Sequence, residues 1–550
     1  MENKTETTSF GSFGNYTIVE DRNLLPISSL PKSTRASHPS IRGSQIRNID
    51  VRLERSDPYG VLPLGCSLLD DKSRLSRMKG LGVLNCLPDE ILSYLISFFD
   101  IQSLCRVSSV SKTLYAHSHG GNLQHFRERV MQELESATDQ NFKFETDWKT
   151  TLVSLYFKKQ KKRKEEEIEY LIEKYKHIPL CVNGVYSDLL FKHFVCANAD
   201  ISETWFNDAN LHQIDSNKLE PSDFISNFEE KNLPVVIRGA VSNWPALRLW
   251  TNTGLIKRFS SSNLFHCGGV RLSMEAYLCY MLQTSSHDDR PLYMFERHFV
   301  KLGEGEKIQQ EFSVPNYFSD DLQKLLEPVG LAPDFRWLII GPRKSGSTFH
   351  KDPNGSSAWN ALIRGKKAWI FYPPESVPPG VVIGSDSVES SEIATPASVM
   401  EWYIDCFAQH RSRQRKRRNH MSSHEIPRGP LCGIQEPGDI VFVPCGWWHQ
   451  VLNIEDSVCL THNFISPRNV HGALQIMKDD PAALSGFPSG RENEIYNVFI
   501  NALINNRPEV ILKDLLVNNA IEEKSVGVLE TKKKISSFWS SKNSNFEFKF

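Results

Sequence analysis

The sequence predicts a mainly β protein with α additions: a barrel or sandwich of short strands behind a small all-α module, with a helical tail after it. Three observations carry this reading. Strand-like runs bounded by Gly and Pro dominate from Trp205 onward, among them Pro234-Val235-Val236-Ile237, Arg336-Trp337-Leu338-Ile339-Ile340 and Ile440-Val441-Phe442-Val443. Few helical patterns fall between those strands, as in a β-sandwich or barrel. Helical periodicity is instead concentrated between about Leu84 and Val130 and near the end of the chain.

Taken in order, residues 1–58 read as a disordered lead-in. Ser and Thr supply 13 of the first 50 residues, too polar a mix to offset its ordering entropy by burial. Tyr59 to Gly65 reads as an irregular stretch packed on a neighbour. Residues 80–130 form the helical module: Leu87, Ile91, Leu95 and Phe98 recur at helical spacing, and Val107, Val110 and Leu114 repeat the pattern in a second helix. His117 and His119, beside Gly120-Gly121, read as a loop after a helix and not as metal ligands. Residues 131–204 form a helical and charged linker, in which KKQKKRK (Lys158 to Lys164) runs into Glu165-Glu166-Glu167 as a solvated helix. Within it, Gly184 to Asn198 reads as an ordered, aromatic-rich linker. The β unit spans 205–470, with a basic insertion at about 405–430, and 471–550 is the tail, where Ile500, Leu503 and Ile504 keep helical spacing.

Composition narrows the function classes. The 550 residues carry 64 basic and 65 acidic side chains, a formal charge of −1, which excludes binding nucleic acid or acidic membranes by bulk charge alone. No apolar run approaches the length of a membrane helix, so no membrane partner is expected. Eleven cysteines with no CxxC pair indicate neither a disulfide framework nor a zinc ribbon, and a reducing compartment fits best.

The chemistry concentrates between Gly341 and Ser466. In His350-Lys351-Asp352 two ligand-type side chains lie two residues apart, on one face if the segment is a strand. A third candidate, His449, follows the strand Ile440 to Val443 and the turn Pro444-Cys445-Gly446. Two imidazoles and one carboxylate on one face leave the remaining positions of an octahedral metal open, the facial triad of non-haem iron(II) oxygenases. Such open positions can take a bidentate co-substrate and dioxygen together, unlike a closed four-ligand site. An isolated HxD is weak by itself. Around it, Pro353-Asn354-Gly355 reads as a turn, Ser357 to Ile363 as a strand, Arg364-Gly365-Lys366 as a second turn and Lys367 to Pro373 as the returning strand.

With Gly341-Pro342, SGSTFHKDPNGSSAWNALIRGKKAW and EPGDIVFVPCGWWHQVLNIEDSVCLTHNFIS in fixed order, the chain resembles the JmjC oxygenases over about Trp205 to Pro467. The resemblance is to the arginine-demethylase and lysyl-hydroxylase branch, which includes the phosphatidylserine-receptor-like proteins. It implies a double-stranded β-helix, the cupin-type jelly roll, with Fe(2+) as cofactor and 2-oxoglutarate and O2 as co-substrates. His350, Asp352 and His449 would be the catalytic metal ligands. Lys367 would pair with the distal carboxylate of 2-oxoglutarate, supported by Thr461. Asn360 and Tyr293 would also reach the co-substrate, and Ser347 stands where the branch usually has threonine. A buried dicarboxylate needs such a cation and hydroxyl donors. His462 alternates with Thr461 and is expected to face away, and Trp447-Trp448 reads as barrel wall.

The implied reaction is hydroxylation of a protein substrate, histones and RNA-associated proteins among the expected classes. Oxygen inserted at a lysine carbon remains; inserted at an N-methyl group it gives a hemiaminal that releases formaldehyde, and the sequence does not choose between the two. LPDEILSYLISFFDIQSLCRVSSVSKTLYAHS (Leu87 to Ser118) resembles an F-box, which implies docking on the Skp-type adaptor of a cullin–RING ubiquitin ligase. The rival reading is therefore a non-catalytic substrate receptor whose barrel only recognises a protein. Intact His350, Asp352, His449 and Lys367 argue against it. RSRQRKRR (Arg411 to Arg418) reads as a flexible basic loop, solvated or contacting RNA or serving nuclear import. The nucleus, with the cytoplasm second, is the expected location. The branch also suggests a homodimer through carboxy-terminal helices.

Overall fold

The architecture comes from a computed structural model that describes residues 60–65, 71–136, 144–159, 164–383, 393–418 and 430–511. The expected disordered lead-in (1–58), most of KKQKKRK and the end of the tail lie outside them.

The helical region begins with β1 (Val61–Leu64), α1 (Asp71–Leu81), α2 (Asp89–Ser97) and α3 (Ile101–Val107). It continues through α4 (Lys112–Ser136), α5 (Trp148–Lys158), α6 (Glu165–Tyr175), β2 (Val182–Tyr186) and α7 (Asp188–Asn198). Side-chain caps fix the helix starts: Asp100 Oδ1 accepts from the Ser103 N–H at 2.7 Å, and Asp147 Oδ1 from the Thr150 N–H at 2.9 Å.

Three sequence expectations are corrected here. The stretch at Val61–Leu64 is a strand, paired in parallel with β2, so part of the expected linker Gly184 to Asn198 is strand and the rest is α7. The pairing supplies the backbone partners that a loop there would lack. His117 and His119 lie inside α4 and are buried, not in a loop. The Gly120-Gly121 pair fails to break the helix because Gly120 lets α4 approach Leu190: a Cβ there would sit 3.1 Å from Leu190 Cδ2. The basic segment from Arg411 to Arg418 belongs to the helix Phe407–Arg418. His410 and Gln414, one turn apart, anchor it: His410 Nδ1 bonds Tyr372 Oη at 2.9 Å, and Gln414 Nε2 donates to Asp208 O at 3.1 Å.

The β unit starts with β3 (His212–Asp215), β4 (Val235–Arg238), β5 (Leu264–Cys267), β6 (Val270–Ser273), β7 (Met294–Glu296) and β8 (Arg336–Gly341). Next come β9 (Gly346–His350), β10 (Ser357–Arg364), β11 (Lys367–Tyr372) and a small ribbon, β12 (Val382–Ile383) with β13 (Ile393–Ala394). The unit closes with β14 (Leu431–Gln435), β15 (Ile440–Val443), β16 (Trp448–Asn453) and β17 (Ser457–Phe464). The large sheet runs β3-β4-β15-β10-β17-β8-β7-β5-β6, and a second sheet, β14-β11-β16-β9, faces it. This is the double-stranded β-helix.

Strand alternation divides each sheet into two faces. Ala358, Val441 and Val443 of the large sheet meet Trp369, Phe371 and Val451 of the small one inside the barrel. On the outside, Trp359, Ile440, Phe442 and Leu460 belong to a core that continues into the helical region through Leu92, Phe126, Trp148, Tyr277 and Tyr280. The helical module and the barrel therefore share one hydrophobic core. The outer face of the small sheet (Ile370, Tyr372, Leu452) is covered by Trp402, Tyr403 and Phe407. The helices Val470–Asp479 and Glu492–Asn506 pack with Leu322, Leu326 and Ile465 along another side. No described helix is long and apolar enough to cross a membrane.

Candidate metal and co-substrate site

Register brings the histidines together. β9 and β16 pair with His350 opposite His449, and their ring centroids lie 4.1 Å apart. Asp352 stands just past the end of β9, its backbone still extended, so its side chain returns to the same face. Ligand atoms of His350, Asp352 and His449 all lie within 4.8 Å of one another, and they form such a group among the described residues. Ser347 is opposite Val451 on the inward face. Three steps in β9 match two in β16, so an extra residue lets Ser347 and His350 both point inward.

The donor set fits a divalent metal. A carbonyl only accepts, so His350 Nδ1 donates to Thr348 O at 2.8 Å and His449 Nδ1 donates to Trp447 O at 3.2 Å. Each bond fixes the tautomer that leaves Nε2 as the ligating atom. His449 Nε2 faces Asp352 Oδ1 at 4.0 Å, and Asp352 Oδ2 has no hydrogen-bond partner although it is buried. Burial drives the His449 pKa down to about 4, and burial with the neighbouring His449 does the same to His350. Both rings are therefore neutral, as ligation requires. Burial raises the Asp352 carboxyl, with His350 and a hydrogen bond from Asn463 opposing, and Oδ2 itself has no partner. An oxygen left without a donor and penalised by desolvation is what a cation would satisfy.

Further into the barrel, Lys367 starts β11 and is 1% exposed. Its Nζ donates to Tyr293 Oη at 2.9 Å and to Asn453 Oδ1 at 2.7 Å. Burial pushes its ammonium down, but Cys459 and Tyr293 beside it outweigh that and hold it above the ordinary lysine value. Tyr293 fits because Gly341 has no side chain: a Cβ there would lie 2.4 Å from the ring. Asn360 pairs with Thr461 across β10 and β17, both on the inward face, and the Asn360 Oδ1 atom is buried without a partner. Thr461 Oγ1 donates to Trp359 O at 3.1 Å. His462 points the other way, stacked on Trp359 and 3.5 Å from Asp321. Trp447 and Trp448 are buried in the wall, with Trp447 Nε1 donating to Asn232 O at 2.8 Å.

The eight expected residues thus fall in two groups: His350, Asp352 and His449 form the ligand cluster, Lys367 is bonded to Tyr293, and Asn360, Thr461 and Ser347 share the inward faces of their strands. Sequence reasoning missed Asn453 and Cys459. Parity could have found both: Asn453 follows His449 by four residues on one strand, and Cys459 precedes Thr461 by two.

The cupin-like barrel and its two-histidine, one-carboxylate centre define a class, and residues 270–469 match the cupin-like domain family. Residues 84–123 match the F-box domain family. The chain belongs to the JmjC family of iron(II)- and 2-oxoglutarate-dependent oxygenases, here with an F-box. It is 32% identical to the arginine-specific demethylase JMJ22 of Arabidopsis thaliana, over 90% of this chain and 89% of that protein. It is 32% identical to the bifunctional arginine demethylase and lysyl-hydroxylase psr-1 of Caenorhabditis elegans, over 55% of this chain and 70% of that protein. With the 2-oxoglutarate and iron-dependent oxygenase JMJD4 of Mus musculus the identity is 28%, over 49% and 64% respectively.

The F-box helices expose an apolar surface. Ile91, Tyr94, Leu95 and Phe98 of α2 and its end are 41–63% exposed, while Leu92 and Ile96 on the opposite face are buried. A contiguous apolar patch of this kind marks an interaction site.

Proposed function

We propose that the chain removes N-methyl groups from arginine side chains of a protein substrate, and that lysyl hydroxylation is the second reaction open to the same centre. The observation that carries the reading is the His350–Asp352–His449 cluster, with its unpartnered Asp352 oxygen, on the same face of the small sheet as Lys367. Arginine is preferred over lysine because the relative named an arginine-specific demethylase is matched along nearly its whole length, F-box region included.

In this reading His350, Asp352 and His449 would hold iron on one face. With 2-oxoglutarate and dioxygen, iron supplies the oxidising power to hydroxylate an unactivated C–H bond. Lys367 takes the distal carboxylate of 2-oxoglutarate, and Tyr293 and Asn453 aim its ammonium. Asn360, Thr461 and Ser347 line the co-substrate end, where the Asn360 carbonyl oxygen lacks a partner. Trp369 and Phe371 stack beside His449 and keep water from that side of the site. Overall, an N-methyl group, 2-oxoglutarate and dioxygen become an N-hydroxymethyl group, succinate and carbon dioxide. The N-hydroxymethyl hemiaminal then collapses to the demethylated N–H and formaldehyde.

The exposed apolar face of α2 supports docking of a Skp-type adaptor. A nuclear location is part of the proposal, supported by the basic runs at Lys158 and Arg411. The test is mass spectrometry of methylarginine and lysine peptides after turnover by the full chain, with formaldehyde and succinate measured alongside. Loss of a methyl with equivalent formaldehyde supports the proposal, whereas oxygen gained on lysine selects the second reading. No succinate from either peptide, and no visible charge-transfer band with iron(II) and 2-oxoglutarate without oxygen, would overturn both.

A further inference from the structure

Lys367 rests on two neutral acceptors, and each is tied to the N-terminal helical region by its own run of hydrogen bonds. The first run goes through Tyr293. The peptide of the preceding Leu292 is approached from both sides: its N–H donates to Tyr280 Oη at 2.9 Å, and its carbonyl, at 2.9 Å, shares the single Tyr277 hydroxyl proton with Ile340 O at 2.7 Å. Tyr280 Oη in turn donates to Asp288 Oδ2 at 2.6 Å. Asp288 is wholly buried, and its other partners come from the helical region: Trp148 Nε1 of α5 at 3.0 Å and Arg127 of α4 at 3.7 Å. Its neighbour Asp289 meets His193 Nδ1 of α7 at 2.6 Å.

The second run goes through Asn453. The tight turn after β8 holds this residue on three sides. The Lys344 N–H donates to Asn453 O at 2.9 Å, and the Asn453 N–H donates to Ser345 O at 2.8 Å. Asn453 Nδ2 donates to Ser345 Oγ at 2.8 Å. Lys344 itself has φ +73°, a conformation a non-glycine residue keeps only when its surroundings impose it. The turn's own backbone bonds hold it, and the side chain reaches the helical region: Lys344 Nζ is buried against Ala197 O in the last turn of α7. Carbonyls there lack intrahelical donors and carry the negative end of the helix dipole, so they favour a cation.

We infer that the helical region is a positioning element of the oxygenase, holding Lys367 for 2-oxoglutarate through Tyr280 on one path and Lys344 on the other. The inference rests on the proposed role of Lys367. It assigns the helices a part in co-substrate affinity, separate from any adaptor they bind.

The test uses the full chain loaded with Mn(II), which holds the site without turnover, and titrates 2-oxoglutarate calorimetrically. Tyr280→Phe and Lys344→Met each cut one path without removing any residue that faces the co-substrate. Each is expected to weaken 2-oxoglutarate binding about three- to tenfold, the scale of one lost hydrogen bond. In the double variant the factors should multiply, because Tyr280 and Lys344 share no hydrogen-bond partner. Mn(II) affinity should stay the same. With iron, the KM for 2-oxoglutarate should rise while kcat at saturation holds within about twofold, since only ground-state positioning is lost. Lys344→Arg, which retains a cation for Ala197 O, should restore binding. Unchanged 2-oxoglutarate affinity in the double variant would overturn this inference alone, as would Mn(II) and 2-oxoglutarate affinities falling together, a sign of general loosening. Absence of 2-oxoglutarate binding by the unmutated chain would overturn the co-substrate reading and this inference with it.

Discussion

Replacing Lys367 by methionine removes a charge while keeping most of the volume. In the structure its ammonium is buried and its acceptors, Tyr293 Oη and Asn453 Oδ1, are neutral. Among the described residues no carboxylate lies within ion-pair distance of it. Without co-substrate, then, no carboxylate faces the cation, and losing it relieves a desolvation cost while sacrificing two hydrogen bonds and the favourable contact with Cys459. These terms oppose each other, so unliganded stability should change by less than about 2 kcal/mol. With 2-oxoglutarate bound the balance reverses. Its carboxylate would then be buried without a cation, which costs about 3–5 kcal/mol, or between about 10² and 10⁴ in affinity. Calorimetric titration of the Mn(II)-loaded protein measures the second quantity and thermal unfolding of the unliganded protein the first. An affinity within about threefold of the unmutated protein would refute the assignment. A large fall in melting temperature with no change in affinity would make Lys367 a structural residue.

Two further predictions follow from other parts of the molecule. Leu95→Asp with Phe98→Asp alters the exposed face of α2, so co-purification of a Skp-type adaptor should be lost while stability shifts by only about 0.5 kcal/mol per site; adaptor retained at the unmutated level would reassign that face. His410 concerns acid stability. Burial, reinforced by Arg413 and Arg411, depresses its pKa from 6.5 to about 4. The native ring stays neutral where the unfolded ring takes up a proton, so its contribution is complete above pH 6.5 and lost as pH falls toward 4. At pH 5.5 the loss is about 1.4 kcal/mol. His410→Gln should flatten the stability curve between pH 7 and 5.5 by that amount, and an unchanged slope would count against it.

The shared core changes how the two modules are understood. A tether joined to a barrel by a linker would leave the F-box region dispensable for catalysis. Instead Trp148 of α5 is buried against Tyr280, and its indole N–H reaches Asp288 in the segment that leads to Tyr293. Anything that shifts α4 or α5 also acts on the barrel's co-substrate end.

Much of the site was legible because strand chemistry is local. Period-two alternation gives Asn360 and Lys367 inward faces, though the turn at Gly365 carries the chain from one sheet to the other and does not close the hairpin the sequence suggests; HxD spacing puts His350 and Asp352 on one face. The basic helix was not legible, since RSRQRKRR has no apolar stripe; it is helical because Tyr372 and Asp208, far away in the chain, receive His410 and Gln414. The same holds for α4 at Gly120, where contact with Leu190 outweighs a poor helix former. The sequence alone determined the strand-rich barrel and the HxD pair through local spacing, and His449 and Lys367 through the fixed order of motifs shared with the JmjC oxygenases. Only the tertiary structure decided that Asn453 shares Lys367 with Tyr293 and that helices from the other end of the chain hold both in place. Those contacts join residues whose separation in sequence carries no period to read.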